Sequence, residues 1–261
     1  MFSIKSLKTR VFQPPKDDLF SLIEENISHL KEKSIIVFAS KIISIWQGRC
    51  IPKDSVKDKD ELIRKEAELY LERNNPFNRY AMLTIKNNTL IPTAGIDESN
   101  GGNYYILWPR SPFSAAKKIY RFLKQKYQLK RFGVIIADSH CIPLRRGTIG
   151  ISLAHCGFFP LRNYRGKKDI FGRKFKVTQL NITDSLAAAA TLAMGEGREQ
   201  TPIAIIEGLT AIKFENPNKS KASDIRIKRK EDIYAPLLWQ GKWKRGKSLL
   251  PQKEKEGKIT K

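Results

Sequence analysis

Apolar residues recur at helical spacing from Pro15 to Leu30, where Leu19, Leu22, Ile23, Ile27 and Leu30 share a face and Asp17 and Asp18 occupy the first turn. That spacing predicts an amphipathic helix, followed by a strand at Ser34 to Ala39. A charged helix is expected over Lys57 to Arg73, with Leu62, Ala67, Leu69 and Leu71 as its apolar positions. Tyr80 to Ile91 reads as a hairpin turning at Asn87 and Asn88, and Pro112 to Tyr127 as a basic amphipathic helix. Strands are predicted at Gly133 to Asp138, Gly147 to Ala154, Lys174 to Ile182 and Pro202 to Gly208. Between the last two lies an alanine-rich helix, with Asp184 as expected N-cap and the Gly195 and Gly197 pair at its end. The apolar run Val134, Ile135, Ile136, Ala137 suits a buried strand that stops at Asp138 and Ser139. It would deliver a carboxylate and a hydroxyl to a strand end, where open α/β sheets hold their sites. Mixed strand and helix signals without an internal repeat place the chain in the α/β or α+β class.

Composition changes this picture in two respects. With 261 residues and 41% hydrophobic content the chain can bury one substantial core. No apolar run approaches the roughly 20 residues that span a bilayer, and MFSIKSLKTR lacks the apolar stretch of a signal peptide, so a cytoplasmic protein is expected. The odd set Cys50, Cys141 and Cys156 does not form a disulfide framework, in keeping with a reducing compartment. The net charge of +23 points to a polyanionic partner. Nucleic acid is one candidate, a nucleotide triphosphate with a polycarboxylate acceptor is another, and a lysine-rich solvated surface is the third reading. After Gly208 apolar density falls, and residues 241–261 read as a basic, disordered tail.

Three segments place acidic or small polar residues beside glycine: AGIDESNGG (Ala94 to Gly102), GVIIADSHCIPLRRG (Gly133 to Gly147) and TDSLAAAATLAMGEG (Thr183 to Gly197). Asp97, Asp138 and Glu196 offer oxygen ligands that suit one or two magnesium or manganese ions. Taken singly they also read as a turn residue, a cap and a solvated helix-end residue. Two further strings carry less. Gly241 to Ser248 fits the phosphate-loop expression but lacks the preceding buried strand, and Pro251 follows. His140 with Cys141, and His155 with Cys156, lack the separated ligand spacing of structural zinc sites, and a core or loop role is favoured.

These three segments, with NYRGKKDIFGRKFKVT (Asn163 to Thr178) and the Pro202 to Gly208 strand, resemble in content and order the coenzyme F-420-0:L-glutamate ligase family, the CofE-like proteins, from about Asp17 to about Gly208. The resemblance implies an α/β fold built as an intertwined homodimer, with residues 1–240 forming one ligase domain. It implies a GTP- and metal-dependent ligase that joins the amine of L-glutamate to an acceptor carboxylate through an acyl phosphate. The acceptor would be the deazaflavin F-420-0 or, in a related role, a folate. Metal ligands would be Asp97, Asp138, Ser139 and Glu196, with magnesium or manganese bound and Asp97 and Asp138 acting in catalysis. Nucleotide would be held by Ser40, Lys41, Asn100, Met194, Gly195, Glu196 and Gly197. The rival is a basic nucleic-acid-binding protein on the same fold with a lapsed site. The chain departs from the family pattern at Ile45, where a lysine is usual, at His140 to Pro143, which replace an FGRP-type string, and at Pro109 to Pro112, which invert the charge of a DPD-like string.

Overall fold

The computed structural model describes residues 1–73, 80–210 and 212–248. Along the chain run β1 (Ser3–Leu7), α1 (Leu19–Asn26), β2 (Ile35–Ala39), α2 (Ser40–Trp46), β3 (Cys50–Pro52), α3 (Lys59–Glu66), β4 (Leu69–Tyr70), β5 (Leu83–Lys86), β6 (Thr89–Pro92) and β7 (Tyr104–Ile106). There follow α4 (Pro112–Tyr127), β8 (Gly133–Cys141), β9 (Thr148–Cys156), β10 (Leu161–Asn163), β11 (Gln179–Asn181), α5 (Ile182–Met194), β12 (Ile203–Glu207), α6 (Ala235–Leu238) and β13 (Lys244–Arg245). The chain divides into two compact units. One comprises Met1–Ser55 and Ile96–Lys228, the other Val56–Gly95 and Arg229–Lys261.

The first unit is built on a five-stranded sheet in the order β1-β12-β2-β8-β9. Only β2 and β8 pair in parallel; the other neighbours are antiparallel. Alternate residues of a strand point to opposite faces. Ile35, Val37, Ile135 and Ala137 join Leu186, Ala187, Ala190 and Met194 of α5 in one core cluster. Ile36, Phe38, Val134 and Ile136 point the other way and are equally inaccessible. Burial on both faces explains why these strands read as continuous apolar runs. Helix α4 packs on β8 and β9, burying Ala115, Ala116, Ile119, Tyr120 and Leu123. Its observed limits are those its spacing predicts.

Strand β8 does not stop at Asp138. Its pairing with β2 ends at Ala39 against Ala137, but a hairpin with β9 carries it on to Cys141 across a bulge at Ile136 and Ala137. At the far side of β9, a Cβ on Gly150 would stand 2.2 Å from the Thr191 hydroxyl and 2.5 Å from the Ala187 carbonyl oxygen. The strand lies against α5 at a distance only glycine permits.

Other expectations shift in boundary or cap. Helix α1 starts at Leu19 because Asp18 accepts hydrogen bonds from the Phe20 and Ser21 amides, and Ile27 and Leu30 are buried beyond its end. The N-cap of α5 is Asn181, not Asp184, whose carboxylate instead accepts from the Ser152 amide at 2.8 Å and from Asn181 Nδ2 at 2.6 Å. Asp184 therefore ties the first turn of α5 to β9. The strand expected over Lys174 to Ile182 shrinks to β11, because its partner β10 offers an edge of only three residues.

The second unit holds a four-stranded sheet in the order β13-β4-β5-β6. The β5–β6 hairpin turns at Asn87 and Asn88, both left-handed (φ 51° and 57°), as a two-residue turn of this type requires. The charged helix ends at Glu66 rather than Arg73, because Leu69 and Tyr70 pair with β5. Buried Lys86 pairs with Glu66 at 2.6 Å. Residues 241–248 differ from the expected disorder: Lys244 and Arg245 pair with β4, and the Gly246 and Lys247 amides donate to the Glu68 and Arg64 carbonyls. A Cβ on Gly246 would meet the Ala67 carbonyl oxygen, so this glycine serves close packing. The remainder of the expected tail, 249–261, lies outside the described residues. Among the described residues no helix is long and apolar enough to cross a membrane.

Candidate functional site

The β2–α2 turn, the loop after Ile96, the middle of β8 and the segment after α5 meet at a cavity of about 430 Å³ in the first unit. Because Ala39 and Ala137 are partners in parallel strands, the next residues of both chains, Ser40 and Asp138, emerge side by side. Ser40 Oγ donates to Asp138 Oδ1 at 2.8 Å, and Trp108 Nε1 donates to Asp138 Oδ2. Burial pushes the Asp138 carboxyl up to about 6, against the pull of these two hydrogen bonds, and the nearby Asp97 charge adds to the rise. Among the described residues no lysine or arginine forms an ion pair with it. Asp138 is thus a half-buried, desolvated acid held by hydrogen bonds, with no ion-paired cation among the described residues.

Asp97 is held differently. Its backbone exchanges hydrogen bonds with Ile106, and its Oδ1 accepts from the Ser99 amide and hydroxyl at 2.7 and 2.8 Å. Lys41 Nζ stands 2.8 Å from Asp97 Oδ2 and also donates to the Ser99 carbonyl. Burial raises the Asp97 carboxyl, but Lys41 and the Ser99 donors outweigh it, and the net shift is downward. Two neighbouring carboxylates are therefore set on opposite sides of their usual range, a disposition common where acids take different roles.

Ser139, next on β8, donates its hydroxyl to both oxygens of Glu196, at 2.6 and 2.7 Å. Asn100, itself left-handed at φ 49°, donates from Nδ2 to the Gly197 carbonyl at 2.7 Å. Gly195 caps α5 at φ 78°, turning the chain so that Met194 to Gly197 line the cavity. Every residue singled out in the sequence as a site candidate lines this one cavity: Ser40, Lys41, Asp97, Asn100, Asp138, Ser139, Met194, Gly195, Glu196 and Gly197. Asp97, Asp138 and Glu196 do not all come within 4.8 Å of one another, since the one group of three ligand-type side chains that does so among the described residues lies elsewhere.

Ile45 is buried and also lines the cavity, so this part of the wall is apolar. Trp108 escapes sequence reasoning altogether. It lies just before the Pro109 to Pro112 string, and the only signal was a tryptophan beside that string, with nothing to indicate that its indole N–H would meet an acid 30 residues away. His140 and Cys141 lie on the protruding end of β8, whereas His155 and Cys156 are buried.

The sequence profile of the F420-0:gamma-glutamyl ligase family matches residues 6–208. The chain belongs to that family. It is 32% identical over 227 residues to the coenzyme F420:L-glutamate ligase of Methanopyrus kandleri, a match covering 80% of this chain and 88% of the relative. Enzymes of the same name from Methanocaldococcus jannaschii and Methanosarcina mazei are both 31% identical, covering 78% and 74% of this chain and 86% and 80% of theirs. The family match ends near the close of β12, so it takes in all the cavity-lining segments and leaves residues 209–248 without a counterpart in the profile.

Proposed function

We propose that this chain is a GTP-dependent gamma-glutamyl ligase that joins L-glutamate to the carboxylate of the deazaflavin F-420-0. The observation that carries the reading is the single cavity in which Lys41, Asn100, two oppositely tuned aspartates and the Ser139–Glu196 pair come together from distant parts of the chain. The acceptor class follows from membership and from the names of the methanogen relatives.

The donor set fits a divalent ion. Asp138 is a desolvated carboxylate with no ion-paired cation among the described residues, and a bound Mg2+ or Mn2+ would stabilise its charged form. Asp97, Asp138, Ser139 and Glu196 are the oxygen ligands available to hold such ions, which would neutralise phosphate oxygens and stabilise the group in transfer. The chain's own residues do the positioning. Lys41 presents a positive charge to the polyphosphate once it exchanges Asp97 for ligand oxygen, and Asn100 with the Gly197 carbonyl fixes the mouth of the cavity. In the reaction an acceptor carboxylate oxygen bonds to the γ-phosphorus as the bond to GDP breaks. The glutamate amine then attacks the acyl carbon, phosphate leaves, and the amine gives up a proton.

A second copy of the chain would complete the assembly. Supporting this are apolar side chains exposed on the β8–β9 hairpin (Leu144, 98%), on the arm between β10 and β11 (Ile170, 91%, and Phe171, 90%) and on α5 (Leu192, 87%). Incubation with GTP or ATP, Mg2+ or Mn2+, glutamate and either F-420-0 or a folate, read by mass spectrometry, tests the whole reading. The expected result is a glutamyl increment on the deazaflavin with release of GDP and phosphate. An increment on the folate alone would move the acceptor, and none on either would refute the ligase reading.

A further inference from the structure

His155 is the penultimate residue of β9, with its side chain wholly inaccessible, yet neither ring nitrogen has a hydrogen-bond partner. Phe113 and Phe158 flank the ring edge-to-face, at 5.5 and 5.6 Å, and fix its orientation. Its Nε2 faces Asp224 Oδ2 at 3.7 Å, too long for a hydrogen bond. Glu215 completes the group, with one ligand atom from each of the three residues within 4.8 Å of the others. Glu215 is placed by backbone pairing with Gly157, and Asp224 by the turn in which its carboxylate accepts the Lys221 amide. Both acids line a second cavity, which gives an ion a way in.

Buried polar groups are normally satisfied, and an orphaned histidine beside two acids lacks something they share. Hydrogen bonding among the three does not supply it. A cation supplies it on the Nε2 side, taking that lone pair and one oxygen from each carboxylate. With its ring buried and neither nitrogen bonded, His155 has a lone pair available to a cation. The spacing of His155 to its neighbour Cys156 gave no zinc pattern because the other ligands stand 60 and 69 residues further along, beyond the family match.

We propose that His155, Glu215 and Asp224 form a divalent transition-metal site, of the zinc class, that fastens the segment after Gly208 to β9. One imidazole with two carboxylates suits zinc better than magnesium or calcium, and a water would fill the remaining position. The site lies apart from the cavity that holds Asp97 and Asp138, with none of its ligands lining that cavity. It is independent of the ligase reading.

The test uses the full chain freed of metal by chelation, in an Asp138→Asn background that weakens the other candidate metal site, titrated with ZnCl2 alone by calorimetry and thermal denaturation. One equivalent of zinc should bind and raise Tm until saturation. Glu215→Gln and Asp224→Asn, both at partly exposed positions, should fold and weaken zinc binding at least about tenfold. Co2+ substituted into the Asp138→Asn protein should give the visible absorption of a low-coordinate site, and this should vanish in the same two variants. Zinc affinity and Tm gain unchanged by Glu215→Gln and Asp224→Asn would overturn the proposal, as would the absence of zinc binding in the Asp138→Asn protein.

Discussion

Replacing Asp138 with Asn separates what this acid does for the fold from what it does for the reaction. The carboxyl titrates near 6 rather than 3.8 because it is buried. In the pH interval between those values the folded chain holds more protons than the unfolded one, so stability falls as pH rises through it and stays lower above. Carrying the charge at neutral pH then costs the fold roughly 3 kcal/mol, at 1.36 kcal/mol for each factor of ten. Asparagine has almost the same shape. Its carbonyl can accept from Trp108 Nε1 while its amide donates to Ser40 Oγ, so both present hydrogen bonds keep a partner. In metal-free buffer at pH 7.5 the variant is therefore expected to be more stable than the parent, by about 1–3 kcal/mol, with a flat profile between pH 4 and 6. Its ligase turnover should fall by about two to three orders of magnitude, the scale of losing one preorganised electrostatic partner. Urea denaturation across pH, beside turnover by mass spectrometry, reads both. A variant less stable than the parent at pH 7.5, or one that turns over at the parental rate, would refute the argument.

Gly150→Ala should cost about 1–3 kcal/mol, because its Cβ would press on the Thr191 hydroxyl and on backbone of α5, and Thr191→Ala should restore only part of the loss in a thermal melt. Asp17, held down to about 2 by Arg10 at 2.6 Å with burial opposing, contributes stability that is present above pH 3.8 and lost as pH falls toward 2. Because Arg10 is 38% exposed the contribution is discounted to about 1 kcal/mol, and Asp17→Asn should flatten acid denaturation in that window. Truncation after Ser248 should leave activity and Tm near parental values, whereas truncation before Lys244 should lower Tm by removing the β13–β4 pairing and the Gly246 and Lys247 hydrogen bonds.

Much of the site was legible in the chain because glycine, acid and strand end are local signals. Asp97, Asp138 and Glu196 could each be picked out within a window of a few residues, whereas Lys41 came only with the family resemblance, and one cavity gathers all four. Legibility failed where partnership is long-range. Nothing near Asp138 announces Trp108, and nothing near His155 announces Glu215 and Asp224. Boundaries failed where pairing overrode local pattern: Leu69 and Leu71 fit a helical stripe until β5 offers an edge, and Asp138 reads as a terminus until β9 extends the strand. The Asp184 cap failed for a subtler reason, since a nearby asparagine could serve and the aspartate had a better use in holding β9.

The sheet order has a consequence for how the chain is made. Strand β12 lies between β1 and β2, so the first two strands synthesised have no sheet partner between them until residues 203–207 have emerged. The outer edge of β4 waits longer still, for residues 244–245. For most of translation the nascent protein therefore carries open apolar edges, the kind that recruit other chains. Prematurely terminated products should be caught by chaperones or lost to aggregates, and expression trials that shorten the chain before residue 208 should yield insoluble material rather than a smaller ligase.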